Sequence, residues 1–321
     1  MRYLVTGGAG FIGSYLVEGL VGDGHQVTVL DDLSTGRYEN VARLEEASAF
    51  RFIKDTVLRE GLVEELVRDC DGVFHLASAV GVRLIMDRPV ETIENIFEGT
   101  AVVMRAASRY RKRVLLTSTS EVYGKSEDVP FREDGDRLEG PTTKHRWAYA
   151  TAKALDEFLV LAHWKETRLP VVVVRLFNTV GPRQSAQYGM VLPNFVAKAR
   201  EGSDLIVHGD GQQSRCFCHV ADVVVALTGL MECPRARGEV VNVGNDEETT
   251  ILALARRVIE RTGSNSRVRM VPYEQAFGDG FEDMRRRVPC LEKVAALIGW
   301  KPRRTTDDII DDVINSWSPN R

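Results

Sequence analysis

Near its start the chain reads TGGAGFIG, which sets Gly7, Gly10 and Gly13 three residues apart behind the apolar run Tyr3-Leu4-Val5. Few patterns constrain a fold so tightly. The apolar run reads as a buried strand, and glycines at that spacing let the backbone turn sharply and approach a pyrophosphate seated on a helix N-terminus. A second apolar run, Val27–Leu30, leads straight into Asp31. A carboxylate at the end of that strand can accept hydrogen bonds from an adenosine ribose 2′-OH and repels a 2′-phosphate. Strand, glycine loop, helix and acidic residue in register predict a site for NAD(H) rather than NADP(H).

The remaining β-branched runs, Phe50–Ile53, Val73–Leu76, Val114–Ser118 and Val171–Phe177, alternate with helical periodicity at Ser14–Gly22, Gly61–Arg68 and Thr100–Tyr110. That alternation predicts an α/β fold with a doubly wound parallel sheet. At 321 residues the chain exceeds one small core. We expect a cofactor domain at 1–178 and, at 179–321, a smaller α/β lobe that mainly binds substrate, with some segments returning to the first domain. In that second half, short strands are expected at Leu205–His208, Cys216–His219 and Val240–Val243, and the final ten or so residues are expected to fray.

Net charge is −4 with both signs interspersed, which offers no field for nucleic acid or a membrane surface. The expected partner is a small molecule. No apolar run approaches the ~18 residues of a membrane span, and Met1 enters a strand with no leader pattern, so a cytoplasmic location is expected. The five cysteines lack a CxxC pair, which argues against a disulfide framework and a zinc site; Cys216 and Cys218 read as core thiols on one strand. No metal-binding constellation is read among the six histidines. His75 is expected to pack at a strand end near the cofactor, and His219 to lie in a strand.

Tyr149 and Lys153 stand four apart in RWAYATAKALDEF, so a helix projects both from one face. Such pairs are common on ordinary helices. Behind a dinucleotide fingerprint the pair reads as chemistry, because an ammonium and a positive nicotinamide both favour phenolate, and a phenolate can take the proton of a sugar hydroxyl. In TSTSEVYG the strand Val114–Ser118 runs out into Thr119, Ser120 and Glu121. Ligands of open α/β sheets bind beyond strand carboxyl ends, which predicts these residues beside the nicotinamide. Arg146, Arg183, Arg215 and the trio Arg285-Arg286-Arg287 form a scattered cationic set; on spacing alone, each is an ordinary surface charge.

Together these residues resemble the extended short-chain dehydrogenase/reductase family of nucleotide-sugar enzymes, along nearly the whole chain. TGGAGFIG resembles the family's cofactor loop, DDLSTG its ribose-binding strand end and HLAS its cofactor-side strand. The resemblance implies NAD contacts from Gly7, Gly10, Phe11, Ile12, Gly13, Asp31, Asp32, Ser34, Thr35, Gly36, Asp55, Leu76, Ala77, Ser78, Tyr149 and Lys153. RLFNTVGPR, MVLPNFV, GDGQQSRCF and VNVGN are similar to motifs that wrap a nucleoside diphosphate, which makes Asn178, Val191, Arg215 and Arg287 candidates for holding uracil or diphosphate. TSTSEVYG, Arg146 three residues before Tyr149, and Arg287 in DMRRRVP are similar to UDP-glucuronate decarboxylases. Sugar 4,6-dehydratases carry an Asp-Glu pair where this chain has Ser120-Glu121. Where the family often has asparagine, three residues before Gly99-Thr100, this chain has Ile96, with Asn95 one step away.

By that resemblance Thr119, Glu121, Tyr149, Lys153 and Arg287 carry catalysis, and Arg146 joins the substrate contacts. Oxidation at the sugar C4 creates a ketone β to the C6 carboxylate, which then leaves as CO2; re-reduction gives UDP-xylose, or the ketone departs first. The alternative is a UDP-glucuronate 4-epimerase that makes UDP-galacturonate through the same ketone. A third reading, a non-catalytic NAD-dependent regulator, is opposed by intact Thr119, Tyr149 and Lys153. The resemblance also implies a homodimer through a bundle of the Thr100–Tyr110 and Trp147–His163 helices.

Overall fold

The computed structural model describes residues 1–78, 88–186, 190–277 and 283–318. Strand β1 (Arg2–Thr6) is buried beyond its first residue and delivers the chain to Gly7, whose φ of 71° is left-handed. After it come α1 (Phe11–Gly22), β2 (Gln26–Asp31), β3 (Phe50–Lys54), α2 (Glu60–Asp69), β4 (Gly72–His75), α3 (Pro89–Tyr110), β5 (Arg113–Thr119), α4 (Ala148–Thr167) and β6 (Val171–Leu176). These six strands join β11 (Glu239–Val243) in a sheet of order β11-β6-β5-β4-β1-β2-β3. Every neighbouring pair is parallel. This is the doubly wound sheet that the alternation predicts, and its order reverses between β1 and β4.

Strand side chains alternate between faces, so consecutive residues feed different cores. Val5 packs with Leu16, Val29, Phe74 and Leu227, whereas Leu4 packs with Val67, Val103, Leu116 and Val160. The sheet is therefore buried on both sides. Later in the chain come β7 (Thr179–Val180), α5 (Val191–Arg200), β8 (Leu205–His208), β9 (Ser214–Cys216), β10 (Cys218–His219), α6 (Val220–Glu232), β12 (Glu248–Thr250), α7 (Ile251–Thr262), β13 (Val268–Val271), α8 (Tyr273–Phe277), α9 (Glu292–Ile298) and α10 (Thr306–Ser316). Leu192, Phe195, Leu205, Leu254 and Ile310 form a core of their own there. Helix α6 nevertheless packs on α1, and β11 pairs with β6. No helix among the described residues is long and apolar enough to cross a membrane.

Two expectations for the second half are corrected. Cys216–His219 is not one strand: β9 pairs antiparallel with β12 and β10 parallel with β7. Asn178 causes the break, because its Nδ2 donates to the Cys216 carbonyl at 3.0 Å while its own carbonyl accepts from the Cys218 amide at 3.2 Å. Phe217, caught between, turns into the apolar core. His219 ends β10 and its ring nitrogen caps α6, accepting from the Ala221 amide at 3.1 Å. Nor does the C-terminal stretch fray from the outset: α10 reaches Ser316 and buries Ile309, Ile310, Val313 and Ile314, while Pro319–Arg321 lie outside the described residues.

Candidate active site

Where the strand order reverses, the carboxyl ends of β1 and β4 open a cleft of about 1510 Å³. Single small-ligand pockets run to roughly 300–1000 Å³, so this cleft has room for two ligands. At one end lies the glycine loop. A Cβ at Gly13 would collide with the Gly7 carbonyl oxygen, and one at Gly7 would lie 2.7 Å from the Ala77 amide nitrogen. Gly10 caps α1 with no side-chain acceptor, leaving the first-turn amides of Phe11 and Ile12 for a ligand.

Asp31 lies at the end of β2, its Oδ2 accepting from the Ala9 amide and its Oδ1 from the Leu33 amide, both at 2.9 Å. Burial raises its carboxyl, against the pull of those two amides. Asp32 accepts from the Ser34 amide at 2.8 Å, and Ser34, Thr35 and Gly36 continue the same wall. Asp55 pairs with Arg59 just after β3, and Leu76, Ala77 and Ser78 leave β4 opposite Gly7. An uncapped helix N-terminus, a backbone with no room for Cβ atoms and a carboxylate at the second strand end fit a dinucleotide.

Strand β5 ends at Thr119, whose Oγ1 accepts from the Glu121 amide at 3.2 Å and starts a short helical turn at Ser120–Tyr123. Tyr149 and Lys153 face the same cleft from successive turns of α4. Burial raises the Tyr149 phenol above its ordinary value, and Glu121 and Asp156 reinforce this; the hydroxyls of Thr119 and Ser78 pull the other way. Lys153 Nζ lies 3.2 Å from Asp156 Oδ2, so much of its charge is already matched.

The arginines divide sharply. Glu121 joins two of them: Arg146 Nη1 donates to Oε2 at 2.5 Å, and Arg287 Nη2 lies 2.6 Å from Oε1. Burial would raise the Glu121 carboxyl, but Arg287 and Arg146 outweigh it and hold it well below the usual carboxylate range. Burial pushes the Arg287 guanidinium below its ordinary value, with Glu121 opposing and Arg215 reinforcing the shift. Arg287 Nη1 also donates to Asn178 Oδ1 at 3.3 Å, and Asp283 ties Arg215 at 2.8 Å to Arg146 at 3.5 Å. Arg146 Nε, Arg287 Nε and Ser120 Oγ are buried with no hydrogen-bond partner, and all three residues line the cleft.

Val191 begins α5 at the far end of the cleft, where the Met190 cap supplies no side-chain acceptor. Other cationic candidates do not converge on the reaction centre. Arg183 clamps Glu18 of α1 at 2.8 Å and stacks over Tyr15, while Arg285 and Arg286 pair with Asp210 and Glu248 at the surface. Ile96 is buried against Tyr149 and Ala152, and Asn95 lines the cleft beside it. Sequence reasoning missed Asp283, His208, Phe217, Tyr273 and Trp317, which also line the cleft. Phe217 and Asp283 lie within the stretches GDGQQSRCF and DMRRRVP without being singled out there, and the other three carried no local sign.

Residues 4–313 match the family model described as GDP-mannose 4,6 dehydratase. The UDP-N-acetyl-alpha-D-glucosaminuronate decarboxylase of Bacillus cytotoxicus is 40% identical over 98% of this chain and 96% of its own. UDP-glucuronic acid decarboxylase 1 of Danio rerio is 36% identical over 99% of this chain and 72% of its own. Among solved structures, the dTDP-glucose 4,6-dehydratase DesIV of Streptomyces venezuelae, determined with NAD bound, superposes with a TM-score of 0.89 at 26% identity, covering 98% and 96% of the two chains. The chain belongs to the GDP-mannose 4,6 dehydratase family, among the nucleotide-sugar-acting extended short-chain dehydrogenases/reductases.

Proposed function

We propose that the protein is an NAD-dependent decarboxylase of UDP-linked uronic sugars, converting UDP-glucuronate to UDP-xylose or to the 4-keto pentose that precedes it. The observation that carries this reading is the buried Arg146–Glu121–Arg287 bridge beside Tyr149, with unpartnered guanidinium nitrogens in a cleft long enough for cofactor and nucleotide sugar. Buried donors of that kind call for an anion, and the C6 carboxylate of a uronic sugar supplies one. The two decarboxylase relatives support the same substrate class.

The glycine loop, Asp31 and Lys153 would hold NAD+, which when bound would supply reversible hydride acceptance for the sugar C4. Tyr149 takes the proton of the sugar 4-OH, with Thr119 orienting that oxygen. Once C4 is a ketone, the C5–C6 bond breaks as CO2 leaves, and its electron pair becomes the enolate of C5 and C4. Thr119 and Tyr149 donate to the enolate oxygen. Arg146 and Arg287, fixed by Glu121, turn the carboxylate out of the ketone plane, the geometry in which the breaking bond overlaps the carbonyl. Arg287, or a water it holds, returns a proton to C5.

Ser120 supports decarboxylation over dehydration, because the dehydratases' aspartate is replaced by a hydroxyl. Purified protein incubated with NAD+ and UDP-glucuronate, and in parallel with its 2-acetamido analogue, should yield a product lighter by one CO2, or, where the ketone departs, by one CO2 and two hydrogens with one NADH formed. An unchanged mass at a new retention time would assign 4-epimerisation instead, and unaltered substrates would discard the reading.

The chain acts as a homodimer in this reading. Val90 and Ile93 of α3, and Leu155 and Phe158 of α4, expose apolar side chains on adjacent packed helices. A second copy of the same face covers them.

A further inference from the structure

Beneath the reacting pair lies a buried carboxylate that the chemistry above does not use. Asp156 follows Lys153 by one turn of α4; its side chain is fully buried, that of Lys153 is 3% exposed, and the two meet at 3.2 Å. The neighbouring charges are matched elsewhere. Glu157, next along the helix, is bound by Arg175 of β6 at 2.7 and 3.0 Å and accepts from Ser118 of β5 at 2.5 Å. Glu121, on the turn after β5, is held by Arg146 and Arg287.

His75 of β4 sits between Thr6 Oγ1 at 2.7 Å and Thr100 Oγ1 of α3 at 3.2 Å. Burial and Lys153 hold it down at about 3, so it brings no charge near neutral pH. Burial raises the Asp156 carboxyl above its ordinary value, with Lys153 and the Thr100 hydroxyl pulling the other way. Asp156 is thus the counter-charge that Lys153 meets inside the protein.

We propose that Asp156 is a positioning residue that fixes the Lys153 ammonium, offsets part of its charge, and so sets the pH at which Tyr149 can accept the sugar's proton. The Asp156 charge acts on Tyr149 to disfavour phenolate. Removing it must favour phenolate, so proton acceptance extends to lower pH while the base itself becomes weaker.

The inference rests on the assigned reaction, so its test carries two readouts. In the first, the NAD+ complex is mixed with UDP-glucuronate and the NADH absorbance transient is followed across pH. Asp156→Asn should move the acid limb of this first step down by about one pH unit and lower its plateau, as expected for loss of one nearby charge. Asp156→Glu, which keeps the charge, should retain the wild-type limb. If Asp156→Asn does not fold, Asp156→Gln against Asp156→Glu repeats the comparison at equal side-chain length. Superimposable limbs for charged and neutral variants would overturn the proposal.

The second readout needs no substrate. Phenolate absorbance of the NAD+ complex is titrated with the Tyr149→Phe signal subtracted, and the neutral variant should ionise at lower pH. If that displacement occurs while no uronate yields NADH, the reaction assignment fails and the role of Asp156 stands. If NADH forms normally but neither profile moves, the reverse holds.

Discussion

Tyr149 and Glu121 stand a few residues from each other's partners yet are held in opposite protonation states. Burial keeps the phenol protonated in the chain alone, whereas two guanidiniums keep the carboxylate ionised. Tyr149→Phe removes the proton acceptor and leaves the packing against Ile96 and Ala152, so turnover should fall by about 10²-fold or more while NAD still binds in a calorimetric titration. Unchanged turnover would discard Tyr149 as the base. Glu121→Gln keeps the shape but leaves Arg146 and Arg287 less firmly held. Ketone formation, read as NADH, should slow less than CO2 release, read by trapping; equal slowing of both steps would remove Glu121 from the decarboxylation step. Because its carboxyl lies far below the working range, Glu121 should leave no limb in the pH profile of either step.

At the scale of elements, α10 shows what local sequence can and cannot carry. Its Thr305 side chain accepts from the Asp308 amide while the Asp308 carboxylate accepts from the Thr305 amide, and Ile309, Ile310, Val313 and Ile314 then cover the second core. Both the cap and the apolar stripe are present in the sequence, so the expectation of a frayed end overlooked a local signal. Thr305→Ala should cost about 1 kcal/mol, seen as a lower denaturant midpoint with unchanged slope, and no loss would mean that the cap is redundant. The parallel sheet was legible because its signals are local: apolar runs of strand length, helical periodicity between them, and glycines at the first turn. The break at Phe217 was not, since Asn178 imposes it from a distant part of the chain. Within the arginine trio, Asp210 and Glu248 hold Arg285 and Arg286 at the surface, as spacing alone predicts, and Arg287, singled out only by the family resemblance, meets Glu121. Placement of Thr119 and Glu121 followed from a strand end and that of Tyr149 and Lys153 from helical spacing; which charge meets which depended on contacts that sequence spacing does not encode.

On the scale of the whole molecule, α4 serves two surfaces at once. Tyr149, Ala152, Lys153 and Asp156 lie on its buried face, while Leu155 and Phe158 lie on the opposite one, Phe158 being 66% exposed. Val90 and Ile93 are likewise exposed on α3, which packs against α4. Leaving four such side chains in water forfeits the free energy that their burial against a second copy would recover. The proposed homodimer would therefore brace the helix that carries Tyr149. Phe158→Glu places a charge at the centre of the proposed contact and should convert the species seen by light scattering from dimer to monomer. Since Phe158 touches neither end of the cleft, NAD affinity should change little, whereas kcat should fall as α4 loses its brace. A wild-type monomer would remove the interface, and a monomeric variant with full kcat would show that association does nothing for the chemistry.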